Sequence, residues 1–100
     1  MQKPAAPTIA NFPNPFNLTT QVIFRVTGQD PYNTLHINLD MYDMLGRRVV
    51  TLVDGEMVPG TYTVTLLPPA TTSSGTYFLY LRISTFLENY TQSRKIVLLK

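Results

Sequence analysis

Apolar side chains in this chain recur at every second position, a period that admits strands and disfavours helices along most of its length. Leu35, Ile37, Leu39 and Met41 alternate with His36, Asn38, Asp40 and Tyr42. Val22, Phe24 and Val26 alternate with Ile23 and Arg25, and Tyr62, Val64 and Leu66 with the threonines at 61, 63 and 65. Successive side chains of a strand point to opposite faces, so this pattern buries one face and wets the other. Tyr77, Leu79, Leu81 and Ile83 form a further apolar set, here with Phe78 and Tyr80 on the opposite face. β-branched and aromatic residues dominate these runs, and turn residues interrupt them every 8–12 positions or so.

The interruptions have their own chemistry. Asp43-Met44-Leu45-Gly46 ends a strand, with Gly46 free to take positive φ. Asp54-Gly55 is a hairpin signal, and Pro59-Gly60 a second turn. Consecutive prolines in Leu67–Ser74 remove ladder donors, so that segment crosses between sheets. Strands are expected at 19–26, 34–42, 48–53, 60–66, 75–84 and 91–99, with a short edge strand near Ile9–Phe12. Between 48 and 53 the register is open, because Val49, Val50, Leu52 and Val53 fit either face. The fold class is all-β: an immunoglobulin-like antiparallel sandwich of six to seven strands in two sheets. Its core should hold Val22, Phe24, Ile37, Leu39, Met41, Val64, Leu66, Tyr77, Leu79 and Leu81.

One hundred residues make one domain, read as a start and linker over 1–8 and a sandwich over 9–100. Hydrophobic residues are 44% and charged residues 14%, a balance that supplies a core and argues against disorder. The chain has no cysteine, which removes disulfides, thiolate metal sites and cysteine nucleophiles together. No apolar run reaches the ~20 residues of a membrane span. The net charge of +2 is spread along the chain, with Arg47-Arg48 and Arg94-Lys95 the only adjacent basic pairs. That is too little for the basic face of a nucleic-acid binder.

Catalytic chemistry finds little purchase. His36 is the only histidine and sits on the polar face of its strand, where it reads as a solvated or rim residue. Asp40 shares that face. Asp54 and Glu56 flank a turn glycine, and Ser73 and Ser74 lack a nucleophile-elbow frame. No cofactor, metal or catalytic residue is assigned, and the chain is read as a non-enzyme. The densest local signal is Asn11-Phe12-Pro13-Asn14-Pro15-Phe16-Asn17. Its prolines fix φ, and Phe12 and Phe16 are placed to plug the end of the sandwich.

Asn11–Thr20 is similar to the N-P-F-N-P-x-T-T opening of the type A C-terminal sorting domain of the type IX (Por) secretion system. Met41-Tyr42-Asp43-Met44-Leu45-Gly46-Arg47-Arg48-Val49 resembles that family's V-Y-N-x-L-G-x-x-V stretch. Thr51–Glu56 with Pro59–Tyr62 resembles its L-x-x-G-x-x-x-x-G-x-Y hairpin, and Ser74–Phe78 its S-G-V-Y-F. Arg94–Lys100 matches the closing K-x-V-L-L-K. The resemblance runs over residues 11 to 100, with five motifs in order. Leu18 stands where proline is common, Thr76 where valine is common, and Gly28–Thr34 is a polar insertion-like stretch. The flagellar-hook-capping immunoglobulin-like domain is a close relative with similar motifs.

The resemblance implies a sorting signal joined to an N-terminal cargo domain. The cargo would pass through the periplasm to the outer-membrane surface or the extracellular space. The expected partners are the type IX machinery and a sortase-like surface peptidase that removes the domain. The residues expected to be read by the translocon are Gly75, Tyr77, Phe78, Arg94, Lys95, Ile96, Val97, Leu98, Leu99 and Lys100. A terminal strand with a free edge would offer one route of binding, by strand addition. The alternative reading is a carbohydrate-binding or cell-attachment module using Phe78, Tyr80 and Tyr42 as platforms.

Overall fold

A computed structural model describes residues 7–28, 34–85 and 89–100. Seven strands follow one another: β1 (Thr8–Phe12), β2 (Thr20–Val26), β3 (Leu35–Tyr42), β4 (Arg48–Met57), β5 (Gly60–Leu66), β6 (Gly75–Ser84) and β7 (Asn89–Leu98). All ladders between them are antiparallel. They form a three-stranded sheet in the order β1-β2-β5 and a four-stranded sheet in the order β4-β3-β6-β7. The alternation read from sequence is the packing rule: every second residue of β2, β3 and β6 is buried between the sheets. Leu67–Ser74 does cross from one sheet to the other, as the prolines require. Residues 1–6 of the expected linker and 29–33 of the insertion-like stretch lie outside the described residues.

Nine of the ten expected core residues are buried, joined by Phe16, Val26, Leu35, Ile83, Ile96 and Leu98. Val64 is the exception. It lies on β5, an edge strand, and is half-buried against the core.

Two expectations about local structure are corrected. Asp54-Gly55 is not a turn: both residues lie inside β4, which runs on to Met57 and pairs Asp54 with Asn38. The Asn38 amide donates to Asp54 Oδ1 (3.1 Å), so the aspartate's polar group is satisfied across the ladder. The break between strands comes at Val58-Pro59, beside the expected Pro59-Gly60 turn. There the chain passes from β4 in the four-stranded sheet to β5 in the three-stranded sheet, and the Tyr62 hydroxyl donates to the Val58 carbonyl (2.6 Å). The second correction concerns Phe12 and Phe16. Only Phe16 enters the core, at 1% exposure, while Phe12 stands 77% exposed.

The open register of residues 48–53 has a structural cause. Two irregularities in the β3–β4 ladder, at Leu39/Asp40 and Met41/Tyr42, each set an extra β4 residue against β3. Val49, Val50, Leu52 and Val53 all end half-buried against the core. The β3–β4 turn has the predicted form: Gly46 takes φ +81°, the Gly46 N–H donates to the Asp43 carbonyl (3.1 Å), and the Asp43 N–H to the Arg47 carbonyl (2.9 Å).

Candidate recognition surface

The asparagine–proline segment and the end of β7 are about eighty residues apart in sequence and bonded to each other in the fold. Phe16 bridges to Leu98 in parallel. Its N–H donates to the Val97 carbonyl (2.9 Å), and its carbonyl accepts the Leu99 N–H (2.8 Å). Asn14 acts as a substitute strand residue beside it: Oδ1 accepts the Val97 N–H (3.1 Å) and Nδ2 donates to the Lys95 carbonyl (3.4 Å). Backbone groups on a sheet edge need partners. Here the N-terminal segment supplies them.

Further down the same edge the bonds pass through side chains. Arg94 Nε donates to Asn11 Oδ1 (2.7 Å), and Gln92 Nε2 to the Pro7 carbonyl (3.1 Å). Asn11 is buried and also donates to the Pro13 carbonyl and Thr20 Oγ1, both at 3.4 Å. Thr20 Oγ1 in turn donates to the Pro13 carbonyl (2.8 Å). The edge of β7 over 95–99 is therefore occupied, and the expectation of a free terminal strand edge is corrected. Proline has no N–H, so the sequence advertised a segment poor in donors. The capping asparagine was legible only as a turn former.

The two segments expected to be read by the translocon lie side by side. Gly75 pairs with Leu98, Tyr77 with Ile96 and Phe78 with Lys95. Tyr77, Ile96 and Leu98 are buried, and the Tyr77 hydroxyl donates to the Ser73 carbonyl (2.6 Å). Phe78 and Val97 are half-buried on the outer face, Lys95 is exposed there, and Arg94 turns inward to Asn11. The Lys100 N–H donates to Ser74 Oγ (2.8 Å) and its Nζ to the Ala70 carbonyl (2.8 Å). Beside it Leu18, Leu67, Ala70 and Leu98 line a shallow apolar depression of about 190 Å³. Leu18, Leu67 and Leu99 are exposed around this end of the sandwich.

Rows of side chains cross the outer face of the four-stranded sheet. Register sets Arg48, Tyr42, Phe78 and Lys95 in one row, and Thr51, Asp40, Tyr80 and Ser93 in the next. Tyr42 and Tyr80 meet edge to face, with centroids 6.2 Å apart at 88°. The Arg82 guanidinium lies 5.8 Å from the Tyr80 centroid. Asp40 is buried at 7% exposure and accepts the Thr51 hydroxyl (2.6 Å).

At the far end of this face His36 bridges two carboxylates. Nε2 lies 3.1 Å from Asp54 Oδ1 and Nδ1 3.1 Å from Glu56 Oε1. Among the described residues, no three His, Cys, Asp or Glu side chains converge as a metal site requires.

No family model and no curated protein matches the chain. Among solved structures it is similar to dimeric latent PorU from Porphyromonas gingivalis, with a TM-score of 0.72 at 15% sequence identity. The match covers 99% of this chain and 10% of the PorU chain. At that identity the likeness is one of fold, and the chain spans about a tenth of PorU's length. Its sandwich is thus shared with a domain-sized part of PorU.

Proposed function

We propose that residues 9–100 are the C-terminal sorting domain of a cargo protein of the type IX secretion system, carried through the periplasm to the cell surface and not itself catalytic. The observation that carries this reading is the convergence of separate sequence motifs on one end of the sandwich. Asn11–Phe16 bonds to Lys95–Leu99, Gly75–Phe78 pairs with that segment from its other side, and Tyr42 joins the row of Phe78 and Lys95. Four of the five motifs that resemble the sorting family thereby form one corner. The fold shared with part of PorU, whose name is that of the same Por system, is consistent with this reading. A partner reading this corner would meet a composite surface: the apolar depression beside Leu98 with Lys100 in its lining, and Lys95 exposed on the outer face of the same strand. Machinery of the type IX system and a surface sortase-like peptidase are the proposed partners.

The test is export of the parent protein. Removing Arg94–Lys100 should leave the cargo in the periplasm. Leu98→Ala keeps charge and chain length but removes a buried side chain, at a cost of about 2–5 kcal/mol. Lys95→Ala with Lys100→Ala removes exposed charge while leaving the core intact. If recognition resides in this corner, the double lysine variant should lose export while retaining its melting temperature. Normal surface delivery of the truncated parent would overturn the assignment.

A further inference from the structure

We propose that the aromatic and cationic end of the four-stranded sheet's outer face binds a short stretch of anionic glycan. This site does not depend on the sorting reading. In the first row, Tyr42 and Phe78 lie side by side on the two central strands, with Arg48 on β4 and Lys95 on β7 at either end. Strand spacing puts the backbones of the two flanking cations roughly 14 Å apart, the length of a short oligosaccharide. Tyr80 stands in the next row, perpendicular to Tyr42, so the two rings make a corner with one face and one edge presented.

Arg82 lies over Tyr80, which orients its guanidinium toward the same groove. Tyr42, Asp43, Phe78, Tyr80, Arg82 and Ser93 are among the residues that line an open groove of about 490 Å³, within the usual range for small-ligand sites. Arg48 and Lys95 stand outside its lining, at the ends of the first row.

The chemistry selects the ligand class. The half-buried rings offer apolar surface to the C–H faces of pyranose rings, and the exposed Ser93 can exchange hydrogen bonds with hydroxyls. Among the described residues, no carboxylate lies within ion-pair distance of Arg48, Arg82 or Lys95. Three such cations therefore stand in or beside the groove, whereas its two nearby carboxylates are already engaged, Asp40 by the Thr51 hydroxyl and Asp43 by Arg47, and the balance favours an anionic sugar over a neutral one. A peptide is less well served, because backbone groups in the middle of a sheet are already paired and cannot add a strand. A long polyanion is opposed by Asp54 and Glu56, which line the same face at its other end.

The experiment is a titration of the isotope-labelled chain, followed by amide NMR, with oligogalacturonate and with a heparin oligosaccharide. Neutral maltooligosaccharide, polyglutamate and single-stranded DNA serve as comparisons. At least one acidic glycan should give saturable shifts centred on Tyr42, Phe78, Tyr80 and Arg82. Arg48→Gln with Lys95→Gln should weaken that binding about tenfold or more, as expected on losing bonds to a charged group. Tyr80→Ala should weaken it comparably, while His36→Ala at the far end should not. Both glutamine substitutions are on exposed positions, and the dispersion of the same spectra reports folding. No saturable shift with either acidic glycan overturns the site. So do shifts centred elsewhere, equal binding of polyglutamate or DNA, or full retention in the glutamine double variant.

Discussion

The two sides of this sandwich are finished in different ways. On one side the edges of β1 and β7 are laced together by Asn11, Asn14, Phe16, Gln92 and Arg94, so the last strand has its outer backbone groups bonded near the chain's end. On the other side β4 and β5 are each paired along one edge only and are joined by Val58-Pro59. Their apolar residues, Val49 to Val53 on β4 and Tyr62 and Val64 on β5, are half-buried. Both sides must avoid edge-to-edge association, and they use different means. The β7 edge is covered, whereas β4 carries ladder irregularities and the charges of Arg48, Asp54 and Glu56. Covering an edge fixes a surface in one conformation. Charging and kinking an edge only discourages partners. A surface built to be recognised as a shape belongs on the covered side.

The largest expected contrast is in core truncations. Phe16→Ala removes a fully buried ring from the covered side and should cost about 3–5 kcal/mol. Val64→Ala on the open side removes two methyl groups from a half-buried position and should cost about 1 kcal/mol. Urea unfolding of the two variants measures both. Equal losses would break the comparison, since they would mean that the open side packs as tightly as the covered one.

These sides were not equally legible in the sequence. Alternation over Leu35–Met41 and Tyr77–Ile83 identified strands and their buried faces, because period two is a property of the local chain. The crossing at Leu67–Ser74 was legible for the same kind of reason: paired prolines exclude a central strand. The lace was not, because it depends on where Phe16 and Leu98 meet, and no local pattern encodes that distance. Phe12 and Phe16 looked equivalent by composition, yet only the one aligned with β7 is buried. Asp54-Gly55 misled for a complementary reason. Its turn chemistry was overridden by a continuing ladder to β3, where Asn38 bonds the aspartate. The row of Arg48, Tyr42, Phe78 and Lys95 needs three registers at once. Each residue was visible in sequence, but their adjacency was not.

A middle-sized effect separates the two kinds of lacing. Asn11 is buried, and Asn11→Ala strands Arg94 Nε without its acceptor, so a loss of about 1–3 kcal/mol is expected. Asn14 is exposed, and Asn14→Ala should cost about 1 kcal/mol or less. Its signature is local instead. The Val97 N–H has Asn14 Oδ1 as its acceptor, so amide exchange at Val97 should accelerate without a matching loss of global stability. Unchanged exchange at Val97 would show that the edge stays closed without the asparagine.

The smallest expected effect lies in the β3–β4 turn, which leads into the open-side edge strand and is held by polar contacts rather than burial. Asp43 Oδ1 accepts the N–H groups of Leu45 and Arg47, both at 2.9 Å, and Oδ2 accepts Arg47 Nε at 2.8 Å. The Arg47 backbone N–H above all, with its guanidinium and the Leu45 N–H, holds the carboxyl below its ordinary value of 3.8 against an opposing effect of desolvation. A depressed folded-state value means that the unfolded chain binds its proton first as acid is added. The contribution of the charged group is therefore complete above the ordinary value and is lost as pH falls through the lowered one. Asp43→Asn keeps an oxygen to accept the two backbone bonds but removes the charge. Melting curves of the two proteins should differ slightly near neutrality, with the parent more stable, and should converge as the pH drops below that window. Added salt should shrink the neutral-pH difference as well, because the Arg47 head is exposed. A difference that persists unchanged into strong acid would mean that shape, not charge, distinguishes aspartate from asparagine at this turn.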